Sequence, residues 1–258
     1  MSQYRGYFVP WAMDPNGLAS RDQIENSTLQ YSCNCGWIDW NHAGDKAKDV
    51  AKNLFNDVWN SINGANVQMG TGTRVVCYQQ TQSKLGASTG YRKCYWIKEG
   101  MTAQQKRSVA WSIFKEVSEK FEEHQSWVGN PWNNSGFSPE DLISDLLLFQ
   151  RVTTGVTRAQ IEQLCGVIKG KQDNYDLFDA FDWSKRAIRS EPPGSPWKAL
   201  TFVRCNQCPP KKPAFPNSLL PPISFNEGNL YGGIDRGTTF YNLPKVPDVQ
   251  MPGSSIIP

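Results

Sequence analysis

Three short runs hold the residues with the widest chemical range. The first is Cys33-Asn34-Cys35-Gly36-Trp37-Ile38-Asp39-Trp40-Asn41-His42, read as the end of a strand and the start of a helix. The positive end of the helix dipole disfavours an imidazolium, so His42 in a first turn stays neutral and can serve as a base or a metal ligand. Asp39 is near enough to orient that ring, and its plainer role, shared with Asn41, is to cap the helix. The second run is Phe121-Glu122-Glu123-His124-Gln125-Ser126-Trp127, where two carboxylates stand beside the second of only two histidines. Glu122 and Glu123 are candidate acid–base groups, and a carboxylate pair can divide acid and nucleophile or base roles, as in glycan cleavage. At 100° per residue His124 falls on the inward stripe with Val117 and Phe121, and both glutamates fall outside it. The third run is Ser138-Pro139-Glu140-Asp141 with Ser144 and Asp145. Here Ser138 caps, Pro139 suits the first helical position, and the two acids meet the helix dipole favourably.

Metal and thiol chemistry have their own candidates. His42 and His124 could share a zinc ion if their helix ends meet. Seven cysteines include Cys33-x-Cys35 and Cys205-x-x-Cys208, four thiolates that could hold zinc tetrahedrally. Cys77 and Cys94 lie in two strand-like runs that could face each other, which permits a cross-strand disulfide in an exported protein. The odd count without an apolar leader reads most simply as reduced thiols, packed as small hydrophobes. Nucleophilic serine chemistry finds no support, because there is no G-x-S-x-G and neither histidine has a convincing serine neighbour. Gly70-Thr71-Gly72-Thr73 precedes a strand rather than a helix, so it is not a phosphate loop.

The elements that must position these groups follow from periodicity. Tyr31–Ile38 reads as a short strand. Asn41 to Asn63 carries Ala47, Val50, Ala51, Leu54, Val58 and Ile62 at helical spacing, and Gly64 stops it. Arg74–Gln80 and Tyr91–Lys98 are rich in Val, Tyr, Trp and Ile and predict a hairpin with a long Gly/Ser/Thr loop. Val109, Ile113, Val117 and Phe121 place a second long helix over Thr102–Gln125. A third runs from Ser138 to about Arg151, a fourth opens at Thr157 with Ile161, Leu164 and Ile168 inward, and a fifth covers Tyr175 to Arg189. Of 17 prolines, 13 lie from Pro192 to Pro258, a density that blocks helices and limits sheet pairing. The expected architecture is therefore α+β: a body, residues 1–190, of helices packed around one β-hairpin, then an extended Pro-rich arm, residues 191–258.

Composition excludes several classes. With 39% hydrophobic and 20% charged residues the chain is globular rather than disordered. A net charge of +3 leaves no nucleic-acid footprint. No window approaches the roughly 18 apolar residues of a membrane span, and Met1 to Pro15 contains no apolar leader core. The expected location is synthesis in the cytoplasm without a signal peptide, with export by a non-signal route left open.

Three segments together resemble a known family. They are Tyr31-Ser32-Cys33 with Gly36-Trp37-Ile38-Asp39, His42 and Asp45; Glu123, Ser126, Trp127 and Gly129; and Phe137-Ser138-Pro139-Glu140-Asp141-Leu142 with Ser144. In this order, over about residues 26–151, the chain resembles an uncharacterised bacterial family of predicted lipoproteins, a domain of unknown function. The family has His-Glu where this chain has Glu122-Glu123, and Asn and Gly where it has Asp145 and Leu148. The resemblance implies candidate positions and a bacterial-envelope connection, and it supplies no reaction.

The resulting expectation is a hydrolase-like protein acting on cell-envelope polymer through Asp39, His42, Glu122 and Glu123, with Trp37, Ser126 and Trp127 on the substrate side. The rival is a non-catalytic binding or structural component of a larger bacterial assembly, including a degenerate enzyme. Ten Trp and the aromatics of residues 192–258 would supply its surface for a protein partner or a second copy.

Overall fold

The computed structural model describes residues 21–45, 50–63, 72–84, 87–125, 139–181, 205–210 and 213–241. The chain is α+β, as its patterning predicts, with helices α1 (Arg21–Glu25), α2 (Val50–Asn63), α3 (Ala103–Gln125), α4 (Pro139–Thr154), α5 (Arg158–Cys165) and α6 (Lys171–Ala180). Two antiparallel hairpins organise them. The first joins β1 (Leu29–Ser32) to β2 (Gly36–Asp39), and the second joins β3 (Thr73–Lys84) to β4 (Ala87–Lys98).

The long hairpin forms because two alternating runs meet in register through twelve opposed residues on each strand. The polar stretch expected as a loop is itself paired: Thr81 faces Gly90 and Ser83 faces Ser88. A main-chain ladder does not depend on apolar side chains, and the pairing simply continues to the tip. Gly90 is required here, since a Cβ would stand 2.3 Å from the Gln80 carbonyl and 2.6 Å from the Phe240 ring. Cys77 lies directly opposite Cys94 and is bonded to it, the cross-strand disulfide that their facing strands permit.

The main core lies between this hairpin and α2, α3 and α4. Phe55 of α2, Tyr78 of β3, Phe114 of α3 and Phe149 of α4 are all buried in it. The rings of Phe55 and Phe114 meet at 4.7 Å and those of Trp111 and Phe149 at 4.9 Å, in edge-to-face geometry. Thr102 caps α3 reciprocally with Gln105: each backbone N–H donates to the other's side-chain oxygen, at 2.9 and 3.2 Å. Thr157 caps α5 through the same device with Gln160, and Gly166 closes that helix with φ 66°. On α5, Ile161 and Cys165 face inward, but Leu164 is exposed, contrary to the periodicity reading. The inward face is the i, i+4 pair, with Cys165 drawn in by its disulfide.

Residues 213–241 of the Pro-rich segment pack on the body of the same chain, in keeping with apolar residues that argue for wrapping a body or a partner rather than floating free, and they add two short strands to it. A short 3-10 turn, Asn217–Leu219, buries Leu219 beside Ile143 and Leu147 of α4. Gln150 donates to the carbonyls of Leu219 and Leu220 at 3.1 and 2.8 Å. Then β5 (Tyr231–Gly233) and β6 (Thr238–Tyr241) both pair antiparallel with the free edge of β4. Prolines are tolerated because they stand outside these two short strands. No described helix is long and apolar enough to cross a membrane.

Candidate functional site

The short hairpin is built from outside itself. All eight strand residues are buried. Its Cys33-Asn34-Cys35 turn is closed by Gly36 at φ 73°, a left-handed position that favours glycine. One edge is satisfied by the segment after α5: the Cys33 and Asn34 N–H groups donate to the Gly166 and Cys165 carbonyls at 3.0 and 2.9 Å, and Ile168 donates back to Tyr31 at 2.8 Å. Buried Asn174 accepts from the Tyr31 N–H at 2.7 Å and donates to the Ile168 carbonyl at 3.0 Å. Cys35 is bonded to Cys165 and Cys33 to Cys208.

These bonds correct the thiol readings. Six of the seven cysteines are paired and only Cys205 is free. Cys33, Cys35 and Cys208 cannot offer thiolates to zinc, so the four-thiolate site fails. No group of three or more His, Cys, Asp or Glu among the described residues is arranged to hold a metal.

The end of β2 delivers the candidate residues. Asp39 is buried at the junction of β2, α1 and α4, with its N–H donating to the Ser144 hydroxyl at 2.9 Å. Its carboxylate accepts from Gln23 at 3.0 Å and from the Asn41 N–H at 2.8 Å. It therefore caps its own turn rather than the long helix. That turn is a single helical one: Ala43 donates to the Asp39 carbonyl and Asp45 to that of Trp40, both at 2.9 Å, and Gly44 at φ 85° ends it. This explains why the helix does not begin at Asn41. The left-handed glycine ends this turn, and the described span of α2 is Val50–Asn63.

His42 stands on this turn, not in the first turn of α2. Its side chain is 47% exposed, and its Nδ1 lies 3.6 Å from a carboxylate oxygen of Asp141, itself only 11% exposed on the first turn of α4. Glu140, Asp141, Ser144 and Asp145 are all buried there. The Ser144 hydroxyl donates to the Glu140 carbonyl at 2.6 Å while accepting from Asp39, so it locks β2 to α4. The rest of the turn is clamped by arginines. Arg151 donates to the Ala43 carbonyl at 2.6 Å and to Asp45 at 2.7 Å. Arg158 also pairs with Asp45, bonds Glu162 at 2.7 Å, and lies 4.4 Å over the Trp40 ring. In the sequence Asp141 reads as a capping acid, and no local pattern marks it as the partner of His42.

The other candidates are placed differently. Trp37 is buried against Tyr31, Phe178 and Phe181, so it is a core residue and not a substrate contact. His124 turns toward the sheet, as the helical wheel predicts. Its Nε2 is 2.8 Å from the Thr89 hydroxyl, which donates its one hydrogen to the Phe240 carbonyl at 3.0 Å. The hydroxyl must therefore accept from an Nε2–H. Burial pushes the His124 pKa down, which favours the neutral ring. His42 thus rests on α4 and His124 on β4, so the contacts described do not assemble them into one ligand pair. Glu122 and Glu123 lie in the last turn of α3, with side chains outside the described residues. Ser126, Trp127 and Ser138 also lie outside the described residues.

Fold and site together define an α+β protein stapled by three disulfides, with a histidine–carboxylate pair at a strand end. Comparison with protein-family models, curated proteins and solved structures gives no match.

Proposed function

We propose that this chain is a hydrolase-like protein of the bacterial cell envelope, acting on envelope polymer with His42 as general base and Asp141 as the residue that positions it. The observation that carries the reading is the half-exposed His42 ring with Nδ1 toward a nearly buried carboxylate. A carboxylate beside Nδ1 favours the tautomer in which the other ring nitrogen is the basic one, the state that can take a proton from an attacking water. The 3.6 Å separation is longer than a hydrogen bond, and such pairs often tighten when substrate binds. Asp39 and Ser144 fix the turn relative to α4. Glu122 and Glu123 remain the candidates for the second acid. The envelope assignment rests on the resemblance over residues 26–151 and on the three disulfides, which suit an oxidising compartment.

The test is release of soluble fragments from purified bacterial envelope polymer. His42→Ala is expected to lower turnover by about 10²- to 10⁴-fold, the usual contribution of a general base. Asp141→Asn is expected to give a smaller loss with an altered pH profile, and Glu123→Gln to abolish cleavage without unfolding the protein. Unchanged turnover in His42→Ala overturns the proposal. Absence of any turnover by the wild type leaves the binding or structural role.

A further inference from the structure

The seventh cysteine has a defined setting. Cys205 is half-buried and free, and it stands three residues before Cys208, whose sulfur is bonded to Cys33. The Cys208 N–H donates to the Cys205 carbonyl at 3.2 Å across a turn at Asn206 and Gln207. A turn of this kind brings its end Cα atoms within about 7 Å, which overlaps the span a disulfide bridges. Cys205 and Cys208 also pack against the same apolar cluster, and that cluster contains Cys33. Neither of the other disulfides has a third thiol, because the remaining four cysteines are all consumed in those two bonds.

We propose that Cys205, Cys208 and Cys33 form a thiol–disulfide exchange centre that latches residues 205–210 to the β1–β2 turn and can release them. The Cys205 thiolate attacks the Cys208 sulfur; the Cys205–Cys208 bond forms as the Cys33–Cys208 bond breaks. Cys33 leaves as a thiolate and takes up from water a proton equivalent to the one Cys205 gave up. One disulfide and one thiol stand on each side, so no oxidant or reductant is needed. The consequence is topological. The Cys33–Cys208 bond links positions 175 residues apart, whereas the product bond closes only the turn. After exchange, Cys33 has no covalent link to residues 205–210, while its turn keeps the main-chain bonds to Gly166 and Cys165 and the adjacent Cys35–Cys165 disulfide. The proposal is independent of the hydrolase reading, since it concerns a different set of atoms and a different assay.

Full-length protein is incubated between pH 7 and 8.5, alkylated with iodoacetamide, digested without reduction and mapped by mass spectrometry. The expected result is two forms, one with Cys33–Cys208 and alkylated Cys205, the other with Cys205–Cys208 and alkylated Cys33. Exchange runs through a thiolate, so the second form should arise faster as the pH is raised. Cys35–Cys165 and Cys77–Cys94 should stay unalkylated throughout, and Cys205→Ser should abolish alkylation of Cys33. The independent variant is Cys33→Ser in an oxidising glutathione buffer, which should yield a Cys205–Cys208 bond. Cys33 that never alkylates in the wild type after hours at pH 8.5 overturns the proposal. So does Cys33→Ser protein in which Cys205 and Cys208 both remain alkylatable.

Discussion

The two hairpins reach stability by opposite routes. The hairpin of β3 and β4 is long and largely self-sufficient, with twelve pairs in register, its own disulfide across the ladder and an apolar face on α2 and α3. The hairpin of β1 and β2 has four residues per strand, a length marginal by itself. It is held by groups remote in sequence: the carbonyls after α5, Asn174 of α6, the Ser144 hydroxyl of α4 and two long-range disulfides. The difference teaches where a precise group can be placed. A short hairpin pinned on every side presents its end in one geometry, and that end carries Asp39 and His42.

If this contrast holds, breaking a staple should cost more at the short hairpin than at the long one. Cys35–Cys165 spans 130 residues, for which chain-entropy arguments give about 5 kcal/mol. The double variant Cys35→Ala/Cys165→Ala should lower the denaturant midpoint most, and should disturb the Asp39–His42 turn. Cys77–Cys94 spans only 17 residues, for which the same argument gives about 3 kcal/mol. Cys77→Ala/Cys94→Ala should therefore lose less, with the ladder still paired. A larger loss there than for Cys35–Cys165 would reverse the comparison.

Smaller effects probe how the C-terminal strands are attached to the long hairpin. Buried Lys93 of β4 bonds Glu116 of α3 at 2.7 Å and Glu227, just before β5, at 2.8 Å. Their carboxylates are partly exposed, so Lys93→Met should cost about 1–2 kcal/mol rather than the full penalty of a buried charge left alone. Urea unfolding followed by tryptophan fluorescence would measure it. His124 gives the smallest effect. Its folded pKa lies below the ordinary histidine value, so the unfolded chain takes the proton first and the contribution to stability is lost as pH falls below about 6.5. The wild type should lose about 1–2 °C more in melting temperature than His124→Gln between pH 7.5 and 5, by the usual conversion for a chain of this size. An equal loss would mean that the ring is not desolvated.

The same contrast explains what could be read from the sequence. Alternating Val, Tyr, Trp and Ile mark β3 and β4 locally, and Val109, Ile113, Val117 and Phe121 mark α3, so the centre of the fold was legible. Thr157 with Gln160 and Pro139 at the head of α4 are local signals too, and those helix starts were read closely. The short hairpin was read as one strand, because its turn depends on Gly36 and on partners 130 residues or more away. The pairing of six cysteines was equally nonlocal. Apolar spacing alone extends the helix back to Asn41, since it carries no mark of the left-handed Gly44. Of the site, Asp39 and His42 were singled out by residue type. Asp141 stands in the third candidate run but reads there as a capping acid, because a first-turn acid looks the same in sequence whether it only meets a dipole or also holds a histidine.

The central claim is that the pinned end of the short hairpin performs the chemistry. Turnover of purified envelope polymer by His42→Ala, compared with wild type at matched folding by circular dichroism, tests it most directly. The account predicts a fall of at least about a hundredfold with an unchanged spectrum. Wild-type turnover in that variant would contradict it.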